Sequence, residues 1–239
     1  MKYIDLTLPT PEENLALDEA LLEMCAEAGG DEILRFWAPV PYFVVIGYGQ
    51  KAEREVNISF CRQNRIVILR RLSGGGAVLQ GTGCLNYSLV LKIPAAGPLA
   101  SLSETNGYVL KKHQETLGSL LNGQVQVEGT SDLTLNGKKI SGNAQRRKRN
   151  ALLFHGTFLI SFNISFIENV LPLPSRMPAY RQNRTHNDFL ANLNLPAAAV
   201  KEALRHCWSA NEPCPEIPFG SIRKLADEKY TSDDWNFRL

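Results

Sequence analysis

Residues 74–76 are three glycines in a row, entered through Arg70-Arg71-Leu72-Ser73 and left through Ala77-Val78. Without Cβ atoms the backbone there can turn its amide groups onto an anion, and the two arginines can add charge-assisted contacts to a phosphate or carboxylate. The run lacks the terminal Gly-Lys-Ser/Thr of a P-loop and the Gly-x-Gly-x-x-Gly order of a Rossmann turn. Ordinary mononucleotide and dinucleotide folds therefore lose ground. The bland alternative is a flexible turn, which three glycines also make.

What surrounds this loop is a globular chain. Its 239 residues and 44% hydrophobic content allow one catalytic-size domain with a sizeable core. Lys and Arg total 26 against 24 Asp and Glu, and a formal charge of +2 is too small to draw nucleic acid or a membrane surface in bulk. No nucleic-acid or membrane partner is expected, and any basic site must be local. Lys2 and Asp5 interrupt the start, unlike a signal peptide, and the longest uncharged stretch, 72–91, is crowded with glycines and polar residues. The five cysteines form no Cys-x-x-Cys pair, so neither a zinc cluster nor a disulfide framework is suggested. These features predict a cytoplasmic protein with no metal site of its own.

Thr10-Pro11-Glu12-Glu13 has capping-box spacing with proline at the first helical position, which predicts a helix over 11–28. Residues 33–37, 42–46 and 66–69 read as strands of one sheet, with a short helix beginning near Asn57 before the third. Alternation over 85–93 predicts a half-buried strand after the glycine loop. Ser101-x-x-Glu104 opens a second long helix ending at Gly123, and Asn136-Gly137 predicts a two-residue hairpin turn. A further strand follows over 151–161. After an irregular stretch from Pro172 to about Asp188 come a helix over 197–208, a loop over 213–218, and a last helix through Tyr230 that Ser221 could cap.

The Asn-Gly hairpin carries the second chemical signal. A return strand beginning Lys138-Lys139 can aim a rigidly mounted ammonium at an acyl carbonyl or phosphate, although lysines beside such a turn also commonly sit in water. Alternation puts the two lysines on opposite faces, so one of them faces a site. Asp132 can orient a substrate or pair with a lysine. The run 146–149 reads as a solvated connection, without the aromatic residues that a nucleic-acid site would interleave. His155 lies in the strand beside Phe154, where a structural role is the commoner reading. No zincin helix and no Gly-x-Ser-x-Gly occurs.

In this order the motifs resemble the lipoate-protein ligase family, whose catalytic domain is shared with biotin-protein ligases. The matching pieces are Asn14 to Glu19, Ile46-Gly47, Glu55-Val56-Asn57, Arg70 to Val78, Leu85-Asn86-Tyr87-Ser88, Asp132-Leu133, Asn136 to Gly142, His155-Gly156-Thr157 and Lys229 to Asn236. The resemblance implies an α+β fold, a larger mixed β-sheet with helices on one side plus a smaller sheet. It implies one domain over 1–239 without a C-terminal accessory domain. It implies that lipoate and Mg-ATP give lipoyl-AMP, and that a lysine of a lipoyl-acceptor protein then attacks the mixed anhydride. ATP, Mg²⁺ and lipoate (or octanoate) would be the ligands.

Carried over, Arg71, Ser73, Gly74, Gly75, Gly76 and Ala77 would embrace the lipoyl and phosphate parts. Lys139 would contact the acyl carbonyl and phosphate as the catalytic residue. Asp132 would bind the adenylate or orient the incoming lysine, and Asn86, Gly142, His155, Gly156 and Thr157 would line the same cleft. A separate accessory subunit could support adenylation, and a monomer is the default. Two alternatives stand beside this ligase. One is an octanoyltransferase fed by acyl carrier protein, which in this fold uses a cysteine nucleophile, whereas none occurs between Cys84 and Cys207. The other is a non-catalytic module that keeps the pocket. Cys84 reads as a small buried hydrophobe.

Overall fold

A computed structural model describes residues 1–27, 29–121 and 124–239. The first strand, β1 (Lys2–Asp5), leads to α1 (Pro11–Ala26), whose Thr10 side chain accepts from Glu13 N while Glu13 reaches back to Thr10 N, completing the capping box. There follow β2 (Ile33–Trp37), β3 (Phe43–Ile46), α2 (Ala52–Glu55), α3 (Ile58–Gln63, capped by Asn57), β4 (Val67–Arg70), β5 (Val78–Gln80) and β6 (Cys84–Lys92). The middle of the chain forms α4 (Leu102–Leu120), β7 (Val125–Glu128), β8 (Asp132–Leu135), β9 (Lys138–Lys148) and β10 (Ala151–Leu159). The last part forms α5 (Ile167–Val170), α6 (His186–Phe189), α7 (Ala197–Cys207), β11 (Glu212–Pro213), α8 (Phe219–Leu225) and α9 (Asp233–Asn236). The ends expected for the two long helices, at Ala28 and Gly123, lie outside the described residues.

Two sheets result, as an α+β fold requires. The larger has the order β11-β1-β2-β6-β10-β9-β8-β7, parallel from β11 to β2 and antiparallel from there on. The smaller is β4-β3-β5. The three early strands are thus split between sheets, contrary to the expectation of one: Pro39 and Pro41 follow β2 directly, and a chain that cannot donate there leaves the sheet before β3 begins.

Alternation along β2 explains the layers. Ile33 and Trp37 join a core with Leu17, Leu21 and Ile222 from α1 and α8, whereas Leu34 and Phe36 join one with Val109, Leu117 and Leu204 from α4 and α7. Helices therefore cover both faces of the large sheet rather than one. For the same reason β6 is not half-buried: Asn86, Ser88 and Val90 lie under α1 and the site rather than in water. Ser221 does not cap α8. The helix starts earlier, after Pro218, whose carbonyl accepts from Ile222 N at 3.0 Å. The loop expected over 213–218 begins with Pro213 paired to β1.

Candidate active site

A cavity of about 350 Å³ lies between the two sheets, within the range of small-molecule sites. Its base comes from β6, β9 and β10 (Asn86, Tyr87, Ser141 to Ala144, His155, Gly156, Thr157). One wall is the glycine loop between β4 and β5, and the opposite wall is the segment from Leu171 to Leu190. Leu15, Trp37, Val45 and Val78 give it an apolar part that suits a hydrocarbon chain.

The glycine loop is held by its arginines, and in a way the sequence did not reveal. Arg70 is fully buried and donates to the carbonyls of Gly47, Tyr48, Gln50, Trp235 and Asn236, so it anchors the C-terminal segment and is closed to a ligand. Arg71 lines the cavity but turns its guanidinium into the loop, donating from Nη2 to Gly74 O at 2.5 Å and Gly76 O at 2.8 Å. Burial pushes Arg71 down to about 10, so it stays charged at neutral pH. With the Gly74 and Gly76 carbonyls drawn toward Arg71, none of the amides of Gly74, Gly75 and Gly76 donates to a protein group among the described residues. That is the arrangement of an anion cradle. Gly75 sits at φ +90°, and Gly47 lets its carbonyl approach, since a Cβ at Gly47 would collide with Gly75 O.

Opposite the loop, Asn136 and Gly137 take φ of 51° and 72° and turn the β8–β9 hairpin as expected. A bulge between Leu133 and Thr134 shifts the register there. Lys139 enters the cavity and its Nζ stands 2.8 Å from Asp132 Oδ1, whereas Lys138 is exposed. Gly142 pairs across from Asp132, and a Cβ there would lie 2.8 Å from Lys139 Nζ, so its bare backbone makes room for the ammonium. Tyr180 donates to Asp132 Oδ2 at 2.7 Å; burial, then the Asp132 charge, raise its hydroxyl well above the usual range, so it remains a donor.

The base of the cavity is polar and internally satisfied. Thr157 Oγ1 donates to Asn86 Oδ1 at 2.5 Å and accepts from Gln80 Nε2 at 2.7 Å. His155 Nε2 is 2.6 Å from Ser73 Oγ, and its Nδ1 is 3.7 Å from Asp18 Oδ2. Asp18 is bound by Arg35 Nη1 at 2.5 Å and Ser88 Oγ at 2.8 Å. Burial acts to raise its carboxyl, but Arg35, His155 and Ser88 outweigh it and hold the group below the usual carboxylate range.

Of the residues singled out in the sequence, Arg71, Gly75, Gly76, Ala77, Asn86, Asp132, Lys139, Gly142, His155, Gly156 and Thr157 are brought together around one cavity. Ser73, buried, and Gly74, exposed, lie outside the cavity lining. Asn143, Tyr180, Arg176 and the Asp18–Arg35 pair escaped the sequence reading of the site; only Asp18 carried a signal, inside the Asn14 to Glu19 match. Cys84 packs in the small-sheet core, where burial pushes its thiol up to about 12. Among the described residues no group of three or more His, Cys, Asp or Glu could hold a metal, and no helix is long and apolar enough to cross a membrane.

The profile of the lipoyl protein ligase A/B catalytic domain matches residues 10–205. The chain belongs to that family. Among its relatives, the octanoyltransferase LipM of Carboxydothermus hydrogenoformans is 30% identical over all of this chain and 98% of its own length. The lipoate-protein ligase A subunit 1 of Thermoplasma acidophilum is 28% identical, over 98% of this chain and 96% of its own. The solved structure of a bipartite lipoate protein ligase with its E2 lipoyl domain from that archaeon superimposes with a TM-score of 0.84 at 26% identity, covering 99% of this chain and 95% of that one. A lipoate-protein ligase A bound with ATP gives 0.81 at 26% identity, with 99% of both chains covered. The lipoyl protein ligase fold is thereby shown, within a group of enzymes that ligate lipoate or transfer octanoyl groups.

Proposed function

We propose that the chain is a lipoate-protein ligase that attaches lipoate or octanoate to one lysine of a lipoyl-acceptor protein through an acyl adenylate made from ATP. The observation that carries this is the pairing, across a partly apolar cavity, of unengaged glycine amides with the mounted ammonium of Lys139. The amides suit a phosphate, the apolar part suits the acyl chain, and the Lys139 ammonium suits charge on the acyl carbonyl and phosphate. The ATP and acceptor named with the two solved relatives fit the same chemistry. Magnesium fits as the companion of the ATP phosphates, which supply most of its oxygen ligands and need few from the protein.

In this reading the reaction is electrostatic positioning. The loop amides and Lys139 bind the acyl phosphate, and Lys139 stabilises the developing oxyanion when the acceptor amine attacks. Asp132, oriented by Tyr180, is placed to accept a hydrogen bond from that amine. Asn86, His155, Gly156 and Thr157 shape the base. One copy supplies all of these groups, so a monomer suffices, while the name of the Thermoplasma relative makes a separate accessory subunit the first condition to test.

The competing reading, ATP-independent octanoyl transfer, draws on LipM being as similar as the ligases. Against it, Cys84 is outside the cavity lining with its thiol strongly disfavoured as thiolate. The deciding experiment incubates the chain with lipoate, Mg-ATP and an acceptor domain, with and without an accessory subunit, and follows the acceptor's intact mass. A gain only with ATP supports the ligase. A gain from octanoyl-carrier protein without ATP overturns it, and so does no gain under any of these conditions.

A further inference from the structure

Ser73 Oγ accepts from Arg71 Nε at 3.1 Å and lies 2.6 Å from His155 Nε2. The other ring nitrogen of His155, Nδ1, faces the Asp18 carboxylate at 3.7 Å. Asp18 is itself fixed by Arg35 and Ser88, all three essentially buried. Ser73 is 1% exposed and does not line the cavity, so this contact is made to the loop and not to a ligand.

Among the described residues, the loop's other hydrogen bonds stay on its own side of the molecule: Ser73 O accepts from Tyr48 N at 2.8 Å, and the carbonyls of Gly74 and Gly76 face Arg71. Of these ties, the His155 contact is the one that comes from β10, in the large sheet. We infer that His155 is a positioning residue: oriented by Asp18, it holds the Ser73 hydroxyl and so sets the glycine loop at its working distance from β9 and β10. A ligand meeting a loop already set in place does not have to order it, so the latch acts on affinity rather than on the chemical step. The inference rests on the proposed ligand site only for its second readout below.

The test uses the full chain and the variants His155→Ala, His155→Gln, His155→Asn and Ser73→Ala. A glutamine places an amide group where Nε2 stood, whereas an asparagine reaches only the Nδ1 position, facing Asp18. The first readout is hydrogen exchange of the Tyr48 amide, which donates to Ser73 O and so reports on the loop, without ligand. Exchange about tenfold faster is expected in His155→Ala, His155→Asn and Ser73→Ala, with His155→Gln near wild type, since one buried hydrogen bond contributes about that factor. The second is lipoate affinity by calorimetry, expected to fall by a similar factor in the same variants and to be restored in His155→Gln. The Ala/Ala double variant is expected to match the singles. Unchanged Tyr48 exchange in Ser73→Ala, equal behaviour of the glutamine and asparagine variants, or additive losses in the double variant would each overturn the latch. Absent lipoate binding in the wild type would instead refute the proposed function, and the exchange result would still decide the inference.

Discussion

Replacing Lys139 by alanine separates stability from chemistry more sharply than any other single change. Its Nζ lies 2.8 Å from Asp132 Oδ1, with 25% of the lysine side chain exposed, so the pair is partly screened. Losing it costs about 1 kcal/mol or less of folding stability, and in a chain of this size that lowers the melting temperature by about 2–4 °C. If the ammonium stabilises charge developing on the acyl carbonyl and phosphate, its loss slows turnover by at least about 10²-fold, or roughly 2.7 kcal/mol of barrier. Lys138 is exposed next door, and Lys138→Ala should leave both quantities near wild type. The assay is lipoate-dependent pyrophosphate release together with acceptor mass, beside thermal melts of both variants. A Lys139→Ala protein that keeps about a third of wild-type turnover would remove the ammonium from the mechanism. A dead Lys138→Ala with an active Lys139→Ala would show that the hairpin presents the other face.

Arg70→Met strands the buried carbonyls of Gly47 and Asn236 and the half-buried one of Gln50 and should cost on the order of 4 kcal/mol, read from urea midpoints, with faster proteolysis after residue 230; a loss under about 1 kcal/mol would show that water replaces the guanidinium. Cys84→Ala should cost about 1 kcal/mol or less and keep acyl transfer to within about twofold, because the thiol only fills the small-sheet core; lost transfer with an intact fold would point to a thiol mechanism. His113 accepts from Trp208 Nε1 at 2.9 Å and is pushed down to about 3 by burial and by Lys112. An unfolded histidine takes up its proton near pH 6.5 while the native one does not, so its stability is fully present above that pH. It falls by about 1.4 kcal/mol per unit as the pH drops toward 3. His113→Gln should flatten the difference between urea midpoints at pH 7 and pH 5; identical differences in the two proteins would mean that His113 titrates normally.

Local patterns carried much of this molecule. The capping box at Thr10, the Asn136-Gly137 turn, the alternation in β6 and the two chemical motifs each depend on neighbours within a few residues, so the sequence alone determined the long helices, the hairpin and the family. The short helices over Ala52–Glu55, Ile167–Val170 and His186–Phe189 escaped the sequence reading; the sequence also placed Lys139 and Asp132 on one hairpin, where a two-residue turn leaves no freedom of register beyond a bulge. What it could not show depended on contacts between distant segments. That Arg70 serves the C-terminal segment while Arg71 clasps its own loop is decided by which carbonyls come near, 165 and 3 residues away respectively. The split of the early strands into two sheets, the covering of both faces of the large sheet, and the alignment of Asp18, His155 and Ser73 arise only on packing. Burial then turns groups that would each be solvated in the open chain into a network with one low-energy arrangement, and no local pattern encodes that choice.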